Sequence, residues 1–410
     1  MKQHHIVFGA LATLVVAVLL WAPWKPAVAP SPQDVLQTGT EDISEVGTSA
    51  PSTDGDTSAP REKVTPSSGV SPITRSSPAS ASARYKELVD PAGYVNTDLI
   101  APRANSNRIE LADFIGKKII LLDFFSYASA DSQRGLPYMR QLWSRYRDKG
   151  LMIIGIHGPE FTFEADLTNV RSAVFKANLA YPIVIDSFRK TWSAYGVKSA
   201  PRRIIIDLDG RIAYDRSGDG GYQELEKKIA DLIFANSARL GNPTNIYQMF
   251  VAPEGAWTKG KTTTPDLLLG SARNAGVLGN LFPSSEGPQD AGPIAERKAN
   301  LVYVTGSWNV TKEYLENRTG GAMFSVQYGA SRVQAVLGNL KMARVKVTLD
   351  GQPLGDRAGK DIVVEKGESI LYVADERLYD IVNDAAGYGE HTLEFTIDGT
   401  ALQIYALRFG

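Results

Sequence analysis

The sequence predicts an α/β domain followed by an all-β sandwich, both set behind an apolar N-terminal segment. Three observations lead there. Between residues 85 and 240, short and continuously apolar runs alternate with stretches of helical period, the pattern of strands buried on both faces. Past residue 242 the helical period disappears, and β-rich runs recur between turn signals, as in an antiparallel sandwich. Residues 6–24 carry no charged side chain.

Composition narrows the chemistry before any motif is read. The chain has 410 residues, with 44 Lys+Arg, 45 Asp+Glu, four histidines and no cysteine. Without cysteine there is no disulfide framework, thiolate nucleophile, Cys-ligated zinc or iron–sulfur cluster. His4 and His5 precede the apolar segment, which leaves His157 and His391, too few for a multi-histidine metal centre. No EF-hand loop occurs, although isolated Asp residues leave a single calcium ion open. A formal net charge of -1 gives no electrostatic footprint for nucleic acid. Neither a cofactor nor a nucleic-acid partner is predicted.

A helix through residues 6–24 would reach about 28 Å, close to the roughly 30 Å of a bilayer core. Trp21 and Trp24 stand where an aromatic belt belongs, and Lys2 favours a cytoplasmic N-terminus, against Lys25 on the far side. Ala27, Val28 and Ala29 resemble a signal-peptidase site, but Pro30 directly after them disfavours cleavage. The expectation is therefore a cytoplasmic stretch at 1–5, a transmembrane signal anchor at 6–24, and a single-pass protein of the cell membrane with its bulk extracytoplasmic. Residues 25–84 contain no Phe, Trp or Tyr. Such a segment cannot bury enough apolar surface to offset its ordering entropy, and reads as a disordered linker reaching on the order of 40 Å.

Within 85–240, residues 118–127 read as a buried strand, 133–149 as a helix and 151–156 as a second buried strand. Together they make a right-handed βαβ crossover. A helix at 167–178 and a strand at 182–186 follow. Residues 203–207 and 211–214 form a hairpin around Asp209 and Gly210, and a last helix spans 222–235. Both strands of a βαβ unit end on one edge of the sheet, which places His157 on the side of Ser129. Ser129, Asp131 and Ser132 are good N-capping residues for the helix that follows. Pro137 removes a hydrogen bond inside that helix and bends it.

Particular residues carry a resemblance. Ser126, Tyr127, Ala128, Ser129, Ser132, Gln133 and Arg134, then Pro137, then His157, Pro159 and Glu160, resemble the redoxin domain of DipZ-type proteins. Its motif reads Y-S-C-x-x-C-Q-R, with a proline five residues on and a later H-x-P-E. The resemblance implies a thioredoxin-like fold in which both CxxC cysteines are replaced, by Ser129 and Ser132. It also implies a cis peptide at Pro201 facing the helix tip, with Ala200 and Pro201 as the edge that pairs with an extended peptide. Thiol–disulfide exchange needs a thiolate attacking a disulfide sulfur; a serine hydroxyl stays protonated and forms no disulfide. No catalytic residue is expected. Two enzymatic alternatives stand beside this reading: an oxidoreductase by family descent, and a hydrolase using Ser129 and His157 with Glu160 or Asp131 as orienting carboxylate.

Residues 245–410 predict strands at 301–304, 322–328, 333–337, 344–349, 369–373, 391–397 and 403–408, separated by Asp350-Gly351, Lys366-Gly367 and Asp398-Gly399 turns. Trp308, Arg377, Tyr379 and the terminal Tyr405, Arg408 and Phe409 resemble the C-terminal module of DipZ-type proteins, which is similar to jelly-roll, carbohydrate-binding sandwiches. The resemblance implies Trp308, Arg377 and Tyr379 as sugar-binding candidates, since sugars are held by exposed aromatic faces beside polar groups. Asn309 and Asn317 open glycosylation triplets of a kind frequent by chance. DipZ-type proteins add a multi-span electron-conducting membrane region, where this sequence shows one apolar segment. The expected function is recognition by a membrane-anchored, redox-dead scaffold, with a protein partner, an envelope glycan, or both.

Overall fold

The structure is a computed structural model that describes residues 83–99, 108–241, 246, 250–273, 276–282, 285–294, 296–339 and 341–410. The expected anchor at 6–24 and nearly all of the linker lie outside the described residues. Among the described residues, no helix is long and apolar enough to cross a membrane.

The N-terminal part runs β1 (Gly93–Val95), β2 (Ile119–Phe125), α1 (Ala130–Tyr146), β3 (Leu151–His157), α2 (Leu167–Lys176), β4 (Ile183–Ile185), α3 (Lys190–Ala194), β5 (Arg202–Ile206), β6 (Ile212–Ser217), α4 (Tyr222–Ala235) and α5 (Ser237–Leu240). Its six strands make one sheet in the order β1-β4-β3-β2-β5-β6. β2, β3 and β4 run parallel, and β5 joins β2 antiparallel. Every residue of β2 and β3 is buried, as unbroken apolar runs require of a sheet covered on both faces. This is the thioredoxin-like fold.

Several expected elements shift. α1 starts at Ala130 rather than 133, because Ser129 rather than a later residue caps it, and a 3-10 turn replaces the α-helix over Arg147–Lys149. α2 ends at Lys176. The short helix α3, five residues long, lacks a full apolar period and so carries no helical signature in the sequence. Pairing also begins before residue 85, with Arg84 bridged to Arg211.

The C-terminal part is largely β. It contains β7 (Leu267–Leu268), β8 (Gly287–Asp290), β9 (Val302–Val304), β10 (Ser307–Val310), β11 (Leu315–Asn317), β12 (Ala322–Ala330) and β13 (Arg332–Asn339). There follow β14 (Ala343–Leu349), β15 (Ile362–Glu365), β16 (Glu368–Val373), β17 (Arg377–Asn383), β18 (Gly389–Ile397) and β19 (Leu402–Phe409). One sheet has the order β17-β13-β19-β11-β10-β8, with β7 also on β19, and the other β15-β16-β14-β18-β12-β9. The sequence reading missed β17 because Asp380 interrupts its apolar run. In the structure that carboxylate is buried and lies 3.3 Å from Arg332.

Aromatic packing joins the two parts. Phe161 and Phe163, in the loop after β3, meet the Tyr405 ring of β19 edge-on at 5.2 and 4.9 Å. Around them Glu160 receives Arg408, Lys176 meets Asp375 at 2.7 Å, and Asn169 donates to Glu376 at 3.2 Å. The β module therefore sits against the edge where β2 and β3 end.

Candidate functional site

The tip of α1 is built from serine side chains. Ser129 has an extended backbone and accepts a hydrogen bond from the Ser132 amide at 3.3 Å, which satisfies one of the helix's orphan donors. Ser132 is buried, and its hydroxyl accepts from the Ser126 amide at 3.3 Å. Asp131 pairs with Arg134 one turn on. Pro137 lies inside α1. Across the sheet edge the Ala200–Pro201 bond is cis. Ala200 and Ser129 line one cleft of about 460 Å³, together with Ser126, Gly158 and Glu160. Gly158 must be glycine there, since a Cβ would stand 2.4 Å from the Trp192 ring.

His157 ends β3 directly beside Phe125 of β2. It is fully buried, stacked on Tyr127 at 5.2 Å and edge-on to Phe125 at 5.3 Å. Its Nε2 lies 3.4 Å from Glu164 Oε1. The orienting carboxylates expected for the Ser–His hydrolase alternative lie elsewhere. The Ser129 hydroxyl is turned to the helix backbone, Glu160 to Arg408 and Asp131 to Arg134, so neither expected carboxylate orients the ring.

Glu164 is the residue that sequence reasoning missed. Its Oε1 accepts from Ser126 Oγ at 2.7 Å and the Ala128 amide at 3.1 Å; its Oε2 accepts from the Glu160 and Phe161 amides at 2.7 and 3.0 Å. One buried carboxylate thus ties the loop after β2 to the loop after β3. Burial pushes this carboxyl up, but His157, Ser126 and the Ala128 amide outweigh it and leave it below the usual glutamate range. Glu164 stands three residues after Phe161, the spacing from which a capping-box acid reaches back to an amide, but Phe161 lacks the hydroxyl that marks such a box in sequence.

A second buried carboxylate behaves differently. Asp123 of β2 faces Arg203 of β5, with Nε 3.3 Å from Oδ1, and both are nearly inaccessible. Burial raises the Asp123 carboxyl despite the opposing Arg203 charge. Among the described residues no group of three or more His, Cys, Asp or Glu side chains stands ready for a metal ion.

The sandwich candidates divide. Trp308 is wholly inaccessible, and its indole donates to the Thr305 carbonyl at 2.9 Å. Tyr379 is 1% exposed, and its hydroxyl accepts from the Ala374 and Asp375 amides. Neither ring offers a face for a sugar, so the expectation that they bind carbohydrate is corrected: hydrophobic packing took them. Arg377 lies over the Tyr379 ring at 3.6 Å and pairs with Asp361 at 3.0 Å. It does line an open cleft, of about 770 Å³, with Trp257, Asn169 and Gln334.

A βαβ unit with a capped helix tip, a cis-proline loop facing the same cleft and a β module against that edge define a thioredoxin-like protein. The AhpC/TSA family matches residues 93–215, and the family described as thioredoxin like C-terminal domain matches residues 264–410. The chain belongs to the thioredoxin-like redoxin family, with serine at both cysteine positions.

Two relatives place it further. Protein DipZ of Mycobacterium tuberculosis is 27% identical over 267 residues, covering 64% of this chain and 36% of DipZ. The chain thus spans about a third of the length of DipZ. The thiol-disulfide oxidoreductase ResA of Bacillus thuringiensis is 31% identical over 136 residues, covering 33% of this chain and 72% of ResA. Among solved structures, a thioredoxin-like protein in the oxidized form is 19% identical over 37% of this chain and 96% of its own, with a TM-score of 0.33.

Proposed function

We propose that this protein is a membrane-anchored, extracytoplasmic recognition scaffold that performs no thiol–disulfide exchange. It holds an extended segment of a protein partner beside Ala200 and Pro201. The observation that carries the reading is the helix tip itself. Ser129 and Ser132 stand where the family's motif has cysteine, and both hydroxyls are engaged in closing the turn. With no cysteine anywhere in the chain, nothing can supply the thiolate that exchange requires. The cleft can accept a strand-like segment by pairing with the backbone of Ala200, since Pro201 has no N–H and its carbonyl already accepts from the Gly218 amide.

The test is insulin reduction by the full-length chain against its Ser129→Cys/Ser132→Cys variant. The natural chain gives background turnover, and the variant gains an oxidisable thiol pair. Turnover by the natural chain would overturn the reading. Thiols that stay unpaired in the variant would show that the tip is no longer arranged for redox chemistry.

One observation favours a second reading, binding of an envelope glycan. The larger cleft is lined by the amide side chains of Gln133, Asn169, Asn178, Gln334 and Asn339, with Trp257 beside them. Amides interleaved with charged side chains suit a polar glycan rather than a neutral polyol, and the Trp257 ring already carries Arg332 at 4.1 Å and Arg134 at 4.8 Å. This moves the sugar-binding candidate away from Trp308 and Tyr379 while keeping Arg377. A glycan array probed with the full chain and with Trp257→Ala tests it; equal signals from both would sink it.

A further inference from the structure

The cleft at the α1 tip has an uneven distribution of charge. Arg189 and Lys198 come from the segment between β4 and β5; Arg273 and Arg408 come from the β module. Four cations thus face three carboxylates, Asp131, Glu160 and Asp266. Those acids are already committed. Asp131 is held by Arg134 from within α1, Glu160 is shared by Arg408 and Arg273, and Asp266 takes Arg408 at 2.8 Å.

That leaves two cations without a carboxylate in contact, although Glu160, Asp186 and Glu164 lie near enough to Arg189 to favour its charge. Among the described residues, neither Arg189 nor Lys198 meets a carboxylate. Arg189 lies over the Trp192 ring at 4.3 Å and reaches only the Lys198 carbonyl, at 3.4 Å. Burial, then the repulsion of Arg273, lowers its affinity for its own proton. Its backbone is held at φ 52°, a left-handed conformation disfavoured for a long side chain. Arg408 contributes as well: its side chain is 10% exposed, and its Nε has no hydrogen-bond partner. Half-buried guanidinium groups with free donors are the usual receptors for a carboxylate.

We infer that this cleft selects an extended peptide carrying an acidic side chain, whose carboxylate settles between Arg189 and Lys198 beside Arg408. The inference rests on the proposed peptide docking at Ala200 and Pro201, and gives it a specificity. The β module then forms one wall of the recognition site, because Arg273, Arg408 and Asp266 belong to it. An aspartate or glutamate side chain would neutralise the excess charge and reach the free donors; a neutral residue would leave both as they are.

A positional-scanning library of capped hexapeptides, captured on the purified full-length chain, tests this. Aspartate and glutamate should be enriched at least fivefold over asparagine and glutamine at one position, and the enrichment should shrink at 0.5 M salt as screening sets in. In the Arg189→Asn/Lys198→Gln variant the preference should fall below twofold. Asparagine tolerates the left-handed backbone at 189, and Lys198 is exposed, so an unchanged thermal midpoint and circular dichroism spectrum would separate charge loss from misfolding.

Peptide capture without acidic preference overturns the inference and leaves the docking reading standing. No capture of any peptide ends the docking reading, and the inference with it. A preference that survives loss of both charges overturns the assignment to Arg189 and Lys198. Free glutarate provides the remaining arm: binding as tight as that of the selected acidic peptide would make this a small-anion site and overturn the peptide assignment.

Discussion

The two halves of the molecule use their polar side chains in opposite ways. In the thioredoxin-like half, charged and hydroxyl groups gather at the sheet edge where β2 and β3 end, around an open cleft. In the β half the aromatic residues expected to recognise a ligand are core: Trp308 and Tyr379 are buried, and their polar atoms close nearby backbone. Arg377 is the exception, since it lines the wider cleft. The difference shows that an aromatic residue in a sandwich is a binding candidate only after its burial is known. Among the described residues, the β half reaches the sheet-edge cleft only through those it turns toward its neighbour, Asp266, Leu268, Arg273 and Arg408.

The comparison breaks most readily at Trp308. Replacing it with alanine should cost about 3–5 kcal/mol, the usual range for emptying a large aromatic site in a core, read from the urea midpoint. Peptide capture by the fraction that stays folded should be unchanged. A folded Trp308→Ala chain that has lost its ligand would erase the distinction between the halves.

Glu164 sharpens it from the other side. Glu164→Ala leaves four buried or half-buried donors without their acceptor and His157 without its facing carboxylate, which should cost about 3 kcal/mol. Because the folded-state value lies below the unfolded one, the stability contributed by Glu164 is complete above the ordinary glutamate value of about 4.3. It is lost as pH falls through the lower native value. Urea midpoints at pH 6 and pH 3 should therefore differ less in Glu164→Gln than in the natural chain. An equal difference in both would mean that other carboxylates carry the acid sensitivity.

The smallest effect belongs to the contact between Lys176 and Asp375, both about half exposed. Lys176→Ala should change stability by no more than about 0.5 kcal/mol, because solvent screens such pairs. A larger loss in the same titration would mean that the halves are held by surface charge rather than by Phe161, Phe163 and Tyr405.

Much of this was legible in the sequence because it depends on near neighbours. Continuous apolar runs marked β2 and β3, and the pattern from Tyr222 to Ala235 marked α4 with the bounds the structure gives. Ser129 was readable as a cap because a capping side chain bonds an amide three positions on. Elements whose stability comes from distant partners were harder to read. β17 hides its buried Asp380 behind Arg332, and α3 is held partly by Asp186, which accepts from the Lys190 and Trp192 amides.

The sequence by itself settled the chemistry that is unavailable, since a chain without cysteine has no thiolate in any conformation, and it settled the order and character of the main elements. Tertiary structure alone decided which polar groups meet. Glu160 and Arg408 are 248 residues apart in the chain, and Glu164 joins two loops that begin on different strands. Side-chain periodicity records which face of an element is buried, but not which distant side chain comes to lie against it. The cationic cleft and the burial of Trp308 both depend on that second kind of information.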